Sequence, residues 1–258
     1  RERLAALEQA PGQSPGVLLA KGLAALEFDQ HTRLAEAVQH LLDDDPWEWR
    51  AVWLAGLDAL ARQDYPAAQS SFNAVYGQLP GELAPKLALA LACELGGETG
   101  LAESLYQVCA STDAAYVTPA AFGLARVRTT GGDIPGSLAA LALVPTTSRG
   151  YPESQRAITA QLVAAAHDAP GIARAFTAIT DARLEPAVVA EYSQQLYERA
   201  AGLAGPQGLQ LAGERLSSAQ VRERLEAAYR RRASLTTDDA LRARLVDAAN
   251  AIRPWSLL

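Results

Sequence analysis

The chain has 258 residues, 49% of them hydrophobic, and a formal net charge of -6. Ala and Leu dominate the apolar set, which suits closely packed helices better than sheet. No apolar run reaches the roughly 18 residues of a membrane span, no signal peptide opens the chain, and the acidic balance excludes the basic footprint of a nucleic-acid binder.

The charge is uneven: residues 1–150 sum to -7 and residues 151–258 to +1. Nine Arg against five acidic residues in 215–253 lack interleaved aromatics, so Arg222, Arg224, Arg230, Arg231 and Arg232 read as a solvated helix face. Only Lys21 and Lys86 are lysine, a bias from which no stability argument follows.

In chain order, residues 1–9 read as the end of a preceding helix broken at Pro11-Gly12, and residues 1–14 as the end of a linker. With Arg first and no Met anywhere, the chain reads as a fragment of a longer cytoplasmic protein. Residues 15–28 and 32–43 predict a helical hairpin, closed by Asp43-Asp44-Asp45-Pro46. These three carboxylates lack converging oxygen ligands and read as a solvated loop, not a metal site.

Residues 49–82 give the clearest pattern. Trp49, Val52, Leu54, Ala55 and Gly56 fall on one helix, Gln63-Asp64-Tyr65-Pro66 makes a turn, and Ala68, Phe72 and Val75 line a second helix stopped by Pro80-Gly81. Pro66 suits the first turn of a helix, where its missing N–H costs nothing. Small residues at Gly56, Ala59 and Ala68 let two backbones approach closely, with Phe72 filling the space beyond them. The pattern recurs at 34-residue steps: Gly22 and Pro46 behind, and Ala90, Ala102, Tyr106 and Cys109 ahead. Gly97-Glu98 repeats the turn, and Gly132-Asp133 does so with a one-residue slip. Four hairpins are predicted, beginning near residues 15, 49, 83 and 118. In the outer two, Leu34 and Ser137 replace the crossing Ala, and Val38 and Leu141 replace the aromatic. This spacing resembles the tetratricopeptide repeat (TPR). The fold class is therefore all-α: a TPR-type solenoid of helical hairpins over 15–150 with further helices over 151–258 that cap the array.

Beyond Gly150 the register is lost but helices continue. One opens at Pro152 and runs to about His167, one ends near Asp181, and one runs from Pro186 to about Leu203. Ser217 with Gln220, and Thr236 with Asp239, each read as a capping box opening one of the last two helices. Leu241, Leu245, Ala248, Ala249 and Ile252 form the apolar side of the last helix, and the tail from Pro254 reads as packed back. Cys93 and Cys109 lie at opposite ends of a hairpin, about 12 Å apart along the axis. That is too far for a disulfide, so both read as small core residues.

No motif supplies chemistry. Gly12-Gln13-Ser14-Pro15-Gly16 matches the nucleophile-elbow pattern, but no strand precedes it and Pro15 reads as a helix start. A small hydrolase using Ser14 is the least favoured reading. His31, His40 and His167 lack metal spacing, and there is no phosphate-binding loop, dinucleotide fingerprint or kinase catalytic signature. Nothing supplies a nucleophile, a base, a cofactor site or a metal site, so this chain reads as non-catalytic.

In TPR arrays the first helix of each pair lines a concave groove. Carried onto this frame, its contacts are Leu19, Leu23, Trp53, Leu57, Leu60, Leu87, Leu91, Phe122 and Arg126. The strip lacks the Lys, Asn and Arg set with which chaperone-binding TPR proteins grip a C-terminal carboxylate. So apolar a strip implies cover, by later helices of the chain and by a neighbouring domain.

Four stretches carry a more specific resemblance: Pro80-Gly-Glu-Leu-Ala-Pro-Lys-Leu-Ala-Leu-Ala90, Ala120-Ala-Phe-Gly-Leu-Ala-Arg126 leading to Gly132-Asp133, Val144-Pro145 with Thr147-Ser148-Arg149, and Leu245-Val-Asp-Ala-Ala-Asn-Ala-Ile-Arg-Pro254. Together they resemble the C-terminal TPR region of the actinobacterial protein kinase G family. The resemblance implies a parent serine/threonine kinase with a rubredoxin-like metal domain, a kinase domain and this array. The implied pathway controls glutamate and 2-oxoglutarate metabolism through a forkhead-associated protein. It further implies that the array dimerises, supports its own kinase domain and helps to recruit the substrate. None of the kinase's catalytic or metal-binding motifs falls within this chain. The alternative reading is a stand-alone TPR adaptor or regulator with no kinase attached.

Overall fold

The computed structural model describes residues 14–211 and 213–253. The chain divides into two compact units, Arg1–Pro145 and Thr146–Leu258.

The first unit is built from four helical pairs: α1 (Pro15–Glu27) with α2 (His31–Asp44), α3 (Trp49–Ala61) with α4 (Tyr65–Gln78), α5 (Leu83–Leu95) with α6 (Thr99–Thr112), and α7 (Ala114–Thr130) with α8 (Ile134–Leu141). The first three pairs start at Pro15, Trp49 and Leu83, and each joins a 13-residue helix to a 14-residue one. The frame read from the sequence is the frame of the core. Gly22, Gly56, Ala90 and Ala125 are buried on the first helices. Leu34, Ala68, Ala102 and Ser137 are buried opposite them, as are Leu41, Val75, Cys109 and Val144 seven residues further on. At Gly56 an added Cβ would lie 2.7 Å from the Phe72 ring, so hydrogen is the side chain that lets the two helices meet there. Both cysteines are free and buried, filling small core spaces.

Each pair turns in the same way. Asp29, Gln63, Gly97 and Gly132 adopt positive φ (54°, 61°, 88° and 80°). The next residue donates its N–H to the carbonyl five positions back: Gln30 to Ala25, Asp64 to Ala59, Glu98 to Cys93 and Asp133 to Arg128, all at 2.8 Å. With the inner bonds from Asp29, Gln63, Gly97 and Gly132 to the carbonyls three residues back, this is the Schellman arrangement that satisfies otherwise orphaned carbonyls at a helix end. The residue closing one helix is also the N-cap of the next. Asp64 and Asp133 use their carboxylates for it, accepting from Ala67 and Gly136 N–H.

The fourth pair departs from expectation. Its first helix begins at Ala114, not near 118, because Asp113 caps it by accepting from the Ala115 N–H at 2.8 Å. Pro119 then lies inside the helix, where it leaves the carbonyl of exposed Ala115 without its helical donor. Ser137, at the crossing position, is fully buried but satisfied: its Oγ lies 3.0 Å from the Ala125 carbonyl and 2.8 Å from Thr129 Oγ1.

The second unit contains α9 (Tyr151–Ala165), α10 (Ala169–Asp181), α11 (Pro186–Leu203), a two-stranded antiparallel hairpin of β1 (Leu209–Leu211) and β2 (Glu214–Leu216), α12 (Ser218–Leu235) and α13 (Asp239–Ile252). Its core gathers Val163, Ile172, Leu196 and Val221 with Leu211 and Leu216 of the hairpin. The hairpin was not expected. Leu209 and Leu211 point into the core while Gln210 points out, the period-2 alternation of a strand, and Gly213 turns the chain at φ 85°. Arg199 donates to the carbonyls of Val163 and Ala166 and so caps the C-terminal end of α9.

The capping box at Ser217 and Gln220 forms as the sequence predicts, but the one at Thr236 and Asp239 does not. Thr236 ends α12, and Asp238 caps α13 by accepting from the Ala240 and Leu241 N–H groups. The arginine face also needs correcting. Arg232 is half-buried, 2.7 Å from Glu191 and 2.8 Å from Gln194 Oε1, because α12 packs along α11 and brings that turn against its polar side. Arg224 and Arg230 are exposed and paired with Glu214 and Glu226. The tail from Pro254 and residues 1–13 lie outside the described residues.

Candidate functional site

The four first helices of the pairs carry the nine residues expected to line a groove. Leu19, Trp53, Leu57, Leu60, Leu87, Leu91 and Phe122 are each partly buried, whereas Leu23 and Arg126 are exposed. α1 packs beside α3, and α5 beside α7, so these faces are neighbours within the unit.

Two of the nine, Leu19 and Trp53, meet in one cleft of about 420 Å³. The other walls come from Trp49 at the start of α3, Ala84 and Pro85 at the start of α5, and Leu79 and Glu82 in the segment between α4 and α5. Leu23, Leu57, Leu60, Leu87, Leu91, Phe122 and Arg126 do not line it. Two tryptophans, a proline and two leucines make the cleft apolar, and Glu82 adds one exposed carboxylate. Trp53 is held in place from behind: its ring sits 5.2 Å from Phe72 at 56°, a favourable tilted contact. The Arg50 guanidinium lies 4.7 Å over the Trp49 ring, and Arg50 is in turn fixed by Glu48 at 2.8 Å. The cleft thus presents shape and apolar area more than charge.

Arg126 is not free to act as an anion clamp. Its Nε and Nη2 donate to the two carboxylate oxygens of Glu94 at 2.6 and 2.8 Å, and the Tyr106 hydroxyl donates to Glu94 Oε2 at 2.6 Å. Burial first, and then the bond to Glu94, push the Tyr106 phenol well above its ordinary range. Glu94 takes the place an apolar residue would fill in the strip, so a purely apolar reading passes over it.

Lys86, in one of the stretches singled out above, is buried. Its ammonium donates to the carbonyls of Pro80 and Glu82 and lies 4.6 Å over the Tyr76 ring. It therefore fixes the segment that forms one wall of the cleft. His31 meets Asp58 at 2.6 Å and Arg62 meets the same carboxylate, a contact tying α2 to α3 that the sequence reading did not anticipate. Ser14 precedes α1, and its side chain makes no capping hydrogen bond. Among the described residues no group of three His, Cys, Asp or Glu is placed to hold a metal, and no helix is long and apolar enough to cross a membrane.

An ordered series of helical pairs on a 34-residue frame, with a half-exposed apolar face on the first helix of each pair, defines a TPR-type array. The family profile described as "Protein kinase G tetratricopeptide repeat" matches residues 1–256. The chain belongs to that family. It is similar to serine/threonine-protein kinase PknG of Mycolicibacterium smegmatis, with 30% identity over 248 residues, covering 90% of this chain and 31% of that protein. It is also similar to PknG of Mycobacterium leprae, with 38% identity over 128 residues, covering 50% of this chain and 16% of that protein. The chain thus spans about a third, or less, of the length of these curated relatives.

Proposed function

We propose that this chain is the non-catalytic protein-interaction domain of a serine/threonine kinase, and that the apolar face of its first helices is where it holds a protein partner. The observation that carries this reading is the cleft at Leu19, Trp49 and Trp53. It is a rigid, tryptophan-lined surface left partly open on a unit that already has a buried core of its own. Membership of the protein kinase G TPR family points to the partner: the kinase domain of the same polypeptide, with a forkhead-associated substrate recruited alongside it and a second copy of the chain as a further candidate. On this reading the work of the domain is positioning. It raises the local concentration of substrate near the kinase, within a pathway that adjusts glutamate and 2-oxoglutarate metabolism.

The test is titration of the chain with the kinase domain of the same protein, alongside light scattering of the chain alone. Trp53→Ala is expected to weaken the kinase complex at least tenfold, since buried aromatic anchors dominate protein interfaces. Leu57→Ala, outside the cleft, should have a smaller effect. If Trp53→Ala lowers the melting temperature but leaves the complex unchanged, the residue belongs to the fold and the interaction face lies elsewhere. A strict monomer at high concentration removes self-association from the proposal.

A further inference from the structure

We infer that the second unit holds a binding site for a phosphate monoester at the start of α9, independent of the apolar face of the first unit. A cavity of about 510 Å³ opens there, within the size range of small-molecule sites. Two arginines line it from separate segments: Arg149, just before α9, and Arg183, in the connection from α10 to α11. Neither guanidinium has a hydrogen bond or ion-pair partner among the described residues. Arg50, Arg62, Arg126 and Arg128 all have carboxylate partners, so pairing is common in this protein. Guanidinium stays charged at any physiological pH, and its fork of donors matches phosphate oxygens two at a time. Two such groups line this one cavity, and an anion bound there can be held by both.

The rest of the lining agrees with that occupant. Ser148 and Tyr151 bring hydroxyl groups to the same cavity. The start of α9 adds little to this: Pro152 has no N–H, and the Gly150 and Tyr151 N–H groups already donate to Ser148, which leaves the Glu153 N–H. Glu153, the acid in that turn, is neutralised by Arg156 at 2.5 Å. Asp181 also lines the cavity and sets the chemistry more narrowly. A carboxylate there disfavours a bare, highly charged anion and favours a ligand that carries a hydrogen-bond donor beside its phosphate. Glycerol- or sugar-type phosphates and phosphoserine in a peptide both have that combination.

The experiment is calorimetric titration of the full chain with inorganic phosphate, glycerol 3-phosphate and a phosphoserine peptide. Saturable binding is expected, tighter for a monoester than for inorganic phosphate, and whichever monoester binds more tightly identifies the source. Arg149→Gln and Arg183→Gln should each weaken it about tenfold or more, the loss typical of a charge-assisted bond. Arg174→Gln, an exposed arginine outside the cavity, should change nothing. Asp181→Asn should remove the advantage of the monoester over inorganic phosphate. Both arginines are exposed, so far-UV circular dichroism of the variants should match the parent. No saturation with any of the three probes, or unchanged binding in the Arg149→Gln, Arg183→Gln double variant, would overturn the assignment.

Discussion

Arg126 on α7 forms a bidentate ion pair with Glu94 on α5, and Tyr106 on α6 donates its hydroxyl to the same carboxylate. Three helices from two successive pairs are thereby joined at one group. The carboxylate is nearly buried while the guanidinium is about half exposed, so the partners do not contribute equally. Removing the exposed cation costs only about 1 kcal/mol once solvent screening is counted. Arg126→Ala is therefore expected to lower stability modestly in urea unfolding, and Tyr106→Phe to add to that loss non-additively, because both act on Glu94.

The same group predicts a pH response. The Tyr106 phenol is pushed well up in the folded chain, and that of Tyr229 up to about 12, in both cases by burial first and then by a carboxylate neighbour. A folded state that keeps a proton which the unfolded chain releases near pH 10 is stabilised below that pH. It loses the advantage as pH rises through the folded value. Stability measured against pH should fall above about pH 10, and Tyr106→Phe should flatten the decline. An unchanged alkaline limb in that variant would show that other groups govern it.

The shared turn geometry makes a prediction about Gln63. It occupies, at φ 61°, the position that Gly97 and Gly132 occupy in later pairs. Left-handed backbone costs a non-glycine residue roughly 1 kcal/mol. Gln63→Gly should stabilise the chain by up to about that amount, less the entropy a glycine adds to the unfolded state. The reciprocal change, Gly97→Gln, should destabilise it by a similar amount. Thermal melts of the two variants moving in the same direction would contradict this account.

Gly56→Ala tests close approach in the core. Ala is the better helix former by about 1 kcal/mol, yet its Cβ would fall 2.7 Å from the Phe72 ring. Overpacking of this kind costs about 1–3 kcal/mol, so the variant should be less stable than the parent. Adding Phe72→Leu should recover part of the loss. Gly77→Ala, where the new methyl meets nothing within 4 Å, should show no such penalty.

Lys86→Met keeps the aliphatic stem but removes the ammonium, leaving the Pro80 and Glu82 carbonyls without that donor and Tyr76 without its cation. A loss of about 1–3 kcal/mol is expected. Amide hydrogen exchange should rise locally across 79–86. Uniformly unchanged exchange there would show that the segment is held by packing alone.

The frame of the first unit was legible because close helix crossings demand small side chains, which recur visibly at Gly22, Gly56 and Ala90. What was missed follows physical lines. Leu79 and Glu82 line the cleft from between two pairs, where a pattern built on first-helix positions does not look. Glu94 was passed over because a charge in an apolar strip makes sense only once its partner on the next pair is known. The hairpin at Leu209–Leu211 is too short for its alternation to stand out, although Gly213 between two Leu-containing runs was a usable turn signal. Thr236 and Asp239 fitted a capping box by spacing, but Asp238 lay two residues nearer the helix than Thr236 and took the role.

Because one residue ends a helix and begins the next at each turn, every pair carries its own junction, and its neighbours meet it through side chains. Coupling between pairs is then only as strong as those contacts. It is strongest where Glu94 links α5, α6 and α7, and weaker at α1 and α2, where Val38 stands in for an aromatic. Under strain the array should come apart like beads leaving a string, from the pair at Pro15–Asp44 inward, while the middle keeps its form.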